Sequence, residues 1–446
     1  MGEFTKRIES CFDRLWPITR SITGPGFRES LDILSDIIPT ERLRFETGRK
    51  VFDWTVPREW NAHDAYFVDP YGRKRAKFKE NNLHLVSYST PFQGQMTLDE
   101  LRPHLHSLPE QPSAIPYITS YYKDTWGFCL SHDELKNLPD GIYRVVVDTE
   151  LYAGHVEVGE AVLPGTCNDE VVFSTYLCHP SMANDQLSGP LVVAYAYERI
   201  AAMPNRRLTY RFVIAPETIG AICYLSERGD HLKKHLVAGY LMACLGDKGK
   251  FVYKLSRREN TLADRAAKIA LRDLGDYGVV GFDPSNGSDE RQYCSPGFNL
   301  PFGGLSRTLY GLYSQYHTSL DNKDFIDFDA LAGSVDATMA IVNALESNLV
   351  WRNTVQCCEP QLGPRGLYRS IGTRDRLTGS MEAMMWLLNL ADGEHDVLAI
   401  AERSGVNLEA LIHVAERVAQ SGLIELVSSK SYDRNRWGSN HHQTKS

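Results

Sequence analysis

Four residues in this sequence have the types and settings of a metal-assisted hydrolytic site. They are His179 in STYLCHPSMANDQLSGP, Asp185 six positions on, Glu217 in YRFVIAPETIG, and His317 in QYHTSLDN. Neutral imidazole and carboxylate bind Zn²⁺, and a Glu outside the ligand set can take a proton from the activated water. Each histidine is expected to follow a buried strand, and each precedes small polar residues and an Asp, Asp185 or Asp321. Pro180 cannot continue a ladder, so His179 should face a pocket. Taken singly, each residue has an ordinary alternative. A lone His is as readily structural, Asp185 would serve as a helix N-cap, and Glu217 would suit a surface loop. A Glu after an apolar run is costly if buried without a partner, and it is the combination that points to chemistry.

A second group sits in NGSDERQYCSPG. Asp289 is placed to hold a substrate amine and Arg291 a substrate carboxylate, against the plain reading of a solvated charged loop. Tyr316, next to His317, is a candidate donor to an oxyanion. Arg307 is a weaker candidate of the same kind.

The elements around these residues alternate. EVVFSTYLCHP, LTYRFVIAPE and VAGYLMACLG read as strands. GPLVVAYAYERIAAMP, GAICYLSERGDHLKKH, TLADRAAKIALRDLG and DALAGSVDATMAIVNALESN read as helices. Such alternation predicts an α/β fold with a mostly parallel sheet flanked by helices, where ligands bind beyond the carboxyl ends of the strands. Residues 1–45 and 151–355 are assigned to this domain. Residues 46–150 hold short aromatic and β-branched runs split by DPYG and LPDG, which predicts a small inserted β-rich domain. Residues 356–430 follow a helix, helix, Gly turn, helix and strand pattern, that of a winged helix. Residues 431–446 are expected to form a flexible polar tail.

Composition narrows the function. The 446 residues carry a formal charge of -8, with 43% hydrophobic and 23% charged residues, ordinary for a globular chain. An acidic balance argues against nucleic acid as a partner. The helix VNLEALIHVAERVAQSG carries Glu409 and Glu416 beside Arg417, poor material for phosphate contacts. A protein-contact or lid role is expected of the winged helix instead. No stretch is expected to span a membrane, the N-terminus lacks a secretory core, and nine scattered Cys fit a reducing, cytoplasmic setting. The expected partner is a small-molecule or peptide substrate, and a homo-oligomer is compatible with the sequence.

STYLCHPS, NDQLSG, PETIGA and YHTSLDN resemble the zinc aminopeptidases of the clan that also holds zinc carboxypeptidases. Over nearly its whole length the chain is similar to bacterial aminopeptidase-like proteins often encoded with polysaccharide-biosynthesis genes. VFDWTVPREWNAHDAYFVDPYG, NGSDERQYCSPGFNLP and the winged helix carry that likeness. The resemblance implies an aminopeptidase-like core interrupted by the β-rich domain. It also implies His179 and His317 as metal ligands, Asp185 as the carboxylate that bridges two metals, and Glu217 as general base. Two positions depart from the two-metal pattern. Thr218 stands where a second Glu is a ligand, and Cys244 where an Asp is one. Cys244 as thiolate, or Asp247 nearby, would be substitutes. The expectation is one zinc held by His179, Asp185 and His317, in an enzyme hydrolysing an amide or peptide bond. The competing expectation is a binding or regulatory protein on the same scaffold.

Overall fold

A computed structural model describes residues 2–367 and 378–427. At its centre is an eight-stranded sheet. In chain order its strands are β1 (Glu41–Glu46), β2 (His155–Leu163), β3 (Glu170–Tyr176), β4 (Thr209–Ala215), β5 (Leu236–Met242), β6 (Phe251–Lys254), β7 (Tyr277–Val280) and β8 (Phe302–Ser306). They lie side by side in the order β1-β2-β4-β3-β5-β8-β6-β7. Strands β4, β3, β5 and β8 run parallel, and β2 and β6 flank them antiparallel. Every residue of β3 and β5 is buried. That is why they read as continuous apolar runs rather than as alternation.

The helices that matter for the site are α1 (Glu3–Leu15), α2 (Ser188–Ala201), α3 (Ile219–His235), α4 (Leu262–Leu274) and α5 (Phe328–Glu346). Helix α5 packs against α1, α2 and α4 on one face of the sheet. Ile8, Phe12 and Leu15 of α1 join that core. Helix α3 covers the other face and shares a second core with the β-rich insert. The expectation that no stretch could span a membrane needs correcting. By length and composition α5 is sufficient, with a mean hydropathy of 1.2. Its apolarity serves the core, where Leu331, Val335, Ile341 and Leu345 are wholly buried.

The insert is built on a four-stranded sheet in which Ile142–Tyr152 pairs with both Glu59–Val68 and Phe92–Thr97. Burial alternates along most of Ile142–Tyr152, with Tyr143, Val145 and Val147 inward, as one covered face requires. The insert is tied to the core where Tyr117 N–H donates to the His317 carbonyl at 2.8 Å and Ser319 N–H donates to Ile115 O at 2.8 Å.

The C-terminal unit is a winged helix. Its sheet joins Val350–Asn353 to Asp392–Asp396 and Ile424–Leu426, so the expected boundary at 356 cuts off its first strand. That strand is too short to be picked out by alternation. The unit is fastened to α4. Arg265, 2% exposed, forks onto Asp396 at 2.7 and 3.0 Å. Asp273 accepts the backbone N–H of Leu408, at the start of the helix Leu408–Gln420. The tail expected at 431–446 lies outside the described residues.

Candidate active site

The loops leaving β3, β4 and β5 carry His179, Glu217 and Cys244, at the carboxyl ends of parallel strands. His317 departs from its expected setting. It does not follow a strand, but lies in the long connection from β8 to α5, which turns at Gly311 with φ 76. Asp185 sits in a kinked turn, Ala183–Leu187, that leads into α2.

Ligand atoms of His179, Asp185 and His317 all lie within 4.8 Å of one another. His317 Nε2 is 2.9 Å from Asp185 Oδ2. That oxygen is buried and takes no hydrogen bond, while Oδ1 accepts from the Tyr176 hydroxyl at 2.8 Å. Burial opposes the charge of Asp185, but His317, His179 and Tyr176 outweigh it and hold the carboxyl below its ordinary range. Burial pushes the His179 imidazole down to about 4, so it is neutral at pH 7 and able to donate a lone pair. Burial works the same way on His317, but the Asp185 carboxylate overcomes it and raises that imidazole. A buried, unbonded carboxylate oxygen facing two histidines is the donor set that zinc takes.

Gln186 brackets His179. Its Oε1 accepts the His179 backbone N–H at 3.0 Å, and its Nε2 lies 3.0 Å from Nδ1. An amide NH₂ only donates, so this contact favours the ring proton on Nε2. A metal on Nε2 requires that proton on Nδ1, where Cys178 Sγ stands 3.5 Å away.

Glu217 lies 3.7 Å from His179 by Oε2, while the Ser288 hydroxyl donates to its Oε1. Burial raises its carboxyl, against the Ser288 hydrogen bond. Ile219 N–H donates to Glu217 O at 2.8 Å, closing a γ-turn around Thr218 with φ 62 and ψ −76. A β-branched residue there is strained. Ser181, Cys244 and His317 also have positive φ, at 45°, 52° and 54°. Strain of this kind clusters where surrounding structure holds functional groups in place.

The departures from the two-metal pattern have a structural counterpart. Cys244 is wholly buried, 3.7 Å from Asp185 Oδ1 and 3.8 Å from the Tyr313 hydroxyl. Burial pushes its thiol up, which works against the thiolate form. Asp247 is committed elsewhere and does not reach in. It accepts from Gly249, Thr308 and Asn184.

The candidate substrate residues of the segment 286–297 make contacts within the chain. Asp289 is wholly buried: its Oδ1 accepts the Thr218 N–H at 2.6 Å, which holds the segment that carries Glu217, and its Oδ2 takes no hydrogen bond. Arg291 is turned onto its own loop, donating to Ser288 O and Pro284 O. Tyr316 stacks on His317 with centroids 3.9 Å apart. Arg307 fastens Gly249 O, Ala330 O and Ser334. Asp321 accepts the backbone N–H groups of Asn184 and Asp185 at 2.7 and 2.8 Å.

Sequence reasoning missed Tyr117. Its ring lies 4.9 Å from that of His179 and 5.3 Å from that of His317, and its hydroxyl pairs with that of Tyr121 at 2.8 Å. It comes from the insert, and nothing in its local sequence marks it. Ser288 and Gln186 were within quoted motifs, but their roles depend on contacts across the fold.

Residues 10–348 match the family described as domain of unknown function DUF4910, and residues 349–426 match a winged helix-turn-helix family. A Clostridium acetobutylicum protein, provisionally named a polysaccharide biosynthesis protein with aminopeptidase-like domain, is 42% identical over 94% of this chain and 96% of its own. A crystal structure from the same organism, provisionally called a peptidase, superposes with a TM-score of 0.90 at 40% identity, over 95% of this chain and 97% of that one. A zinc aminopeptidase from Bacillus subtilis shares the fold, with a TM-score of 0.54 at 13% identity, covering 76% of this chain and 95% of that one.

Proposed function

This chain belongs to the DUF4910 family, on an aminopeptidase-like scaffold with a C-terminal winged helix, and on that footing we propose that it is a zinc-dependent hydrolase of an amide or peptide bond. The observation that carries the reading is the convergence of His179, Asp185 and His317, with Glu217 beside them. These three would hold one zinc, leaving a coordination position open. The ion, when bound, supplies Lewis acidity that polarises a carbonyl and acidifies water.

The chain's own groups supply the rest. Glu217 takes the proton of the attacking water at Oε2 and delivers it to the leaving nitrogen. Ser288, bonded to Oε1, fixes which oxygen does this. Asp321 fixes the turn that presents Asp185. Tyr117 and Tyr316 pack against the His317 ring and fix its position. The Clostridium relative is named for polysaccharide biosynthesis, and the same setting is proposed here.

The test is Glu217→Gln. It should keep zinc at the wild-type level and lose turnover by a factor of about 10² or more. Retained turnover would remove Glu217 from its role.

A second reading is a binding or regulatory protein on this scaffold. It draws on the Gln186 amide, whose donor faces the nitrogen that should carry the proton in a zinc-bound His179. That reading expects protein without stoichiometric zinc.

A further inference from the structure

The inserted domain holds a cavity of about 480 Å³, within the size range of small-molecule sites. The segment 118–127 folds around it and is held at both ends by backbone bonds. Ser87 N–H donates to Ile118 O and Ser120 N–H to Ser87 O, both at 2.9 Å. Thr90 N–H donates to Thr125 O at 2.8 Å, and Val86 N–H to Gly127 O at 3.0 Å. Trp126 stacks with the rings of His104 and Phe92, their centroids 3.7 and 4.4 Å away. The wall is thus organised before a ligand arrives, which lowers the cost of binding one.

The lining combines flat rings with hydroxyls. Tyr121, Tyr122 and Trp126 supply the rings, and Thr119, Ser120 and Thr125 the hydroxyls. Tyr122 is 57% exposed, and Trp54, 38% exposed, meets it edge to face with centroids 5.4 Å apart. Lys123, also in the lining, is exposed and brings the lasting charge. The other basic group there, His106, is held below its ordinary range by burial and by His104. Among the described residues no carboxylate lines the cavity, and Asp124, next in the chain, is turned to Arg58 at 2.7 Å. The Tyr121 hydroxyl pairs with that of Tyr117, whose ring packs on His179. The cavity therefore lies one tyrosine behind the candidate active site.

A hydroxyl both donates and accepts, so three of them suit a ligand that carries hydroxyls itself. A purely apolar ligand would leave them unpaired. An aromatic ring open to solvent suits a ligand ring with an apolar face and a polar rim. A cationic ligand would meet Lys123 with no counter-charge, whereas a phosphate or carboxylate gains one. We propose that this cavity binds an anionic sugar, a pyranose bearing a phosphate or a carboxylate, with its C–H face on Tyr122 and its anionic group on Lys123. The proposal goes beyond the hydrolase reading and does not rest on it, because no residue of the metal-ligating cluster lines the cavity.

The experiment is a ligand-observed nuclear magnetic resonance titration of the full-length protein with D-glucose 1-phosphate, D-glucuronate, D-glucose and inorganic phosphate. At least one sugar anion should bind about threefold or more tightly than glucose, as a partly exposed charge pair allows, and more tightly than inorganic phosphate. The tighter of the two anions identifies the charge as phosphate or carboxylate. Tyr122→Ala should weaken that anion by about fivefold or more, and Lys123→Ala should reduce it to the level of glucose. Both side chains are exposed, so neither change disturbs the core, which circular dichroism checks. Four results overturn the proposal. They are no sugar anion bound more tightly than about 10 mM, glucose bound as tightly as both anions, inorganic phosphate bound as tightly as the sugar anions, and binding that survives both substitutions.

Discussion

Gln186 sets the tautomer of His179, and this makes metal affinity adjustable at one atom. Its amide presents a donor to Nδ1, whereas a zinc-bound imidazole needs an acceptor there. Gln186→Glu supplies one and should tighten zinc binding by about tenfold, within the range that such outer contacts command. Competition with a chromogenic chelator would measure it, and unchanged or weaker binding would show that Nδ1 does not carry the proton. At this scale the sequence was legible where a residue announces its chemistry by type and setting. His179, Asp185, Glu217 and His317 were named from their motifs, and the fold brings them together. The bonds that Asp289 and Arg291 make to their own chain were not legible, because a charged loop looks the same in sequence whether its charges face solvent or backbone. Tyr117 left no signal, since its position depends on how the insert docks.

The elements around the site hold strain that sequence patterns do not reveal. Thr218 sits at the centre of a γ-turn with φ 62, pinned by Asp289 at its N–H. Glycine adopts positive φ without the Cβ conflict, so Thr218→Gly should raise stability by about 1 kcal/mol. It should also lower any turnover, because the segment carrying Glu217 is loosened. Denaturant unfolding checks the first part, and a loss of stability would mean that the Thr side chain contributes contacts outweighing the strain. The winged helix is bound to α4 in a comparable way. Arg265 is enclosed with Asp396, and removing one partner of a buried pair leaves the other uncompensated. Arg265→Met should cost about 3–5 kcal/mol, read as a lowered midpoint of thermal unfolding. A midpoint like wild type would mean that the unit docks through its apolar contacts alone. Alternation and helical periodicity located most of these elements, because burial on one or both faces dictates them. The His317 segment escaped because an apolar and aromatic run, LYGLYSQY, forms an irregular loop once Gly311 turns it.

Over the whole molecule, buried carboxylates govern the response to acid. Burial opposes the charge of Glu160, Glu170 and Asp396, yet Arg228 and Arg211, Arg211, and Arg265 respectively outweigh it and hold all three below their ordinary range. A folded-state pKa below the unfolded one gives stability that is present above the unfolded value, near 4, and lost as pH falls through the folded value. The protein should therefore unfold cooperatively as pH drops below about 4, followed by circular dichroism. Stability that rose as pH fell below about 4 would contradict the sign of all three shifts.

The site is proposed to hold a single zinc on His179, Asp185 and His317. Its most direct test is metal content by mass spectrometry after zinc loading and desalting, on the wild type and on His179→Ala, His317→Ala and Cys244→Ala. About one zinc per chain is expected, lost with either histidine and kept without Cys244. Two zincs per chain, or one that survives loss of either histidine, would contradict it.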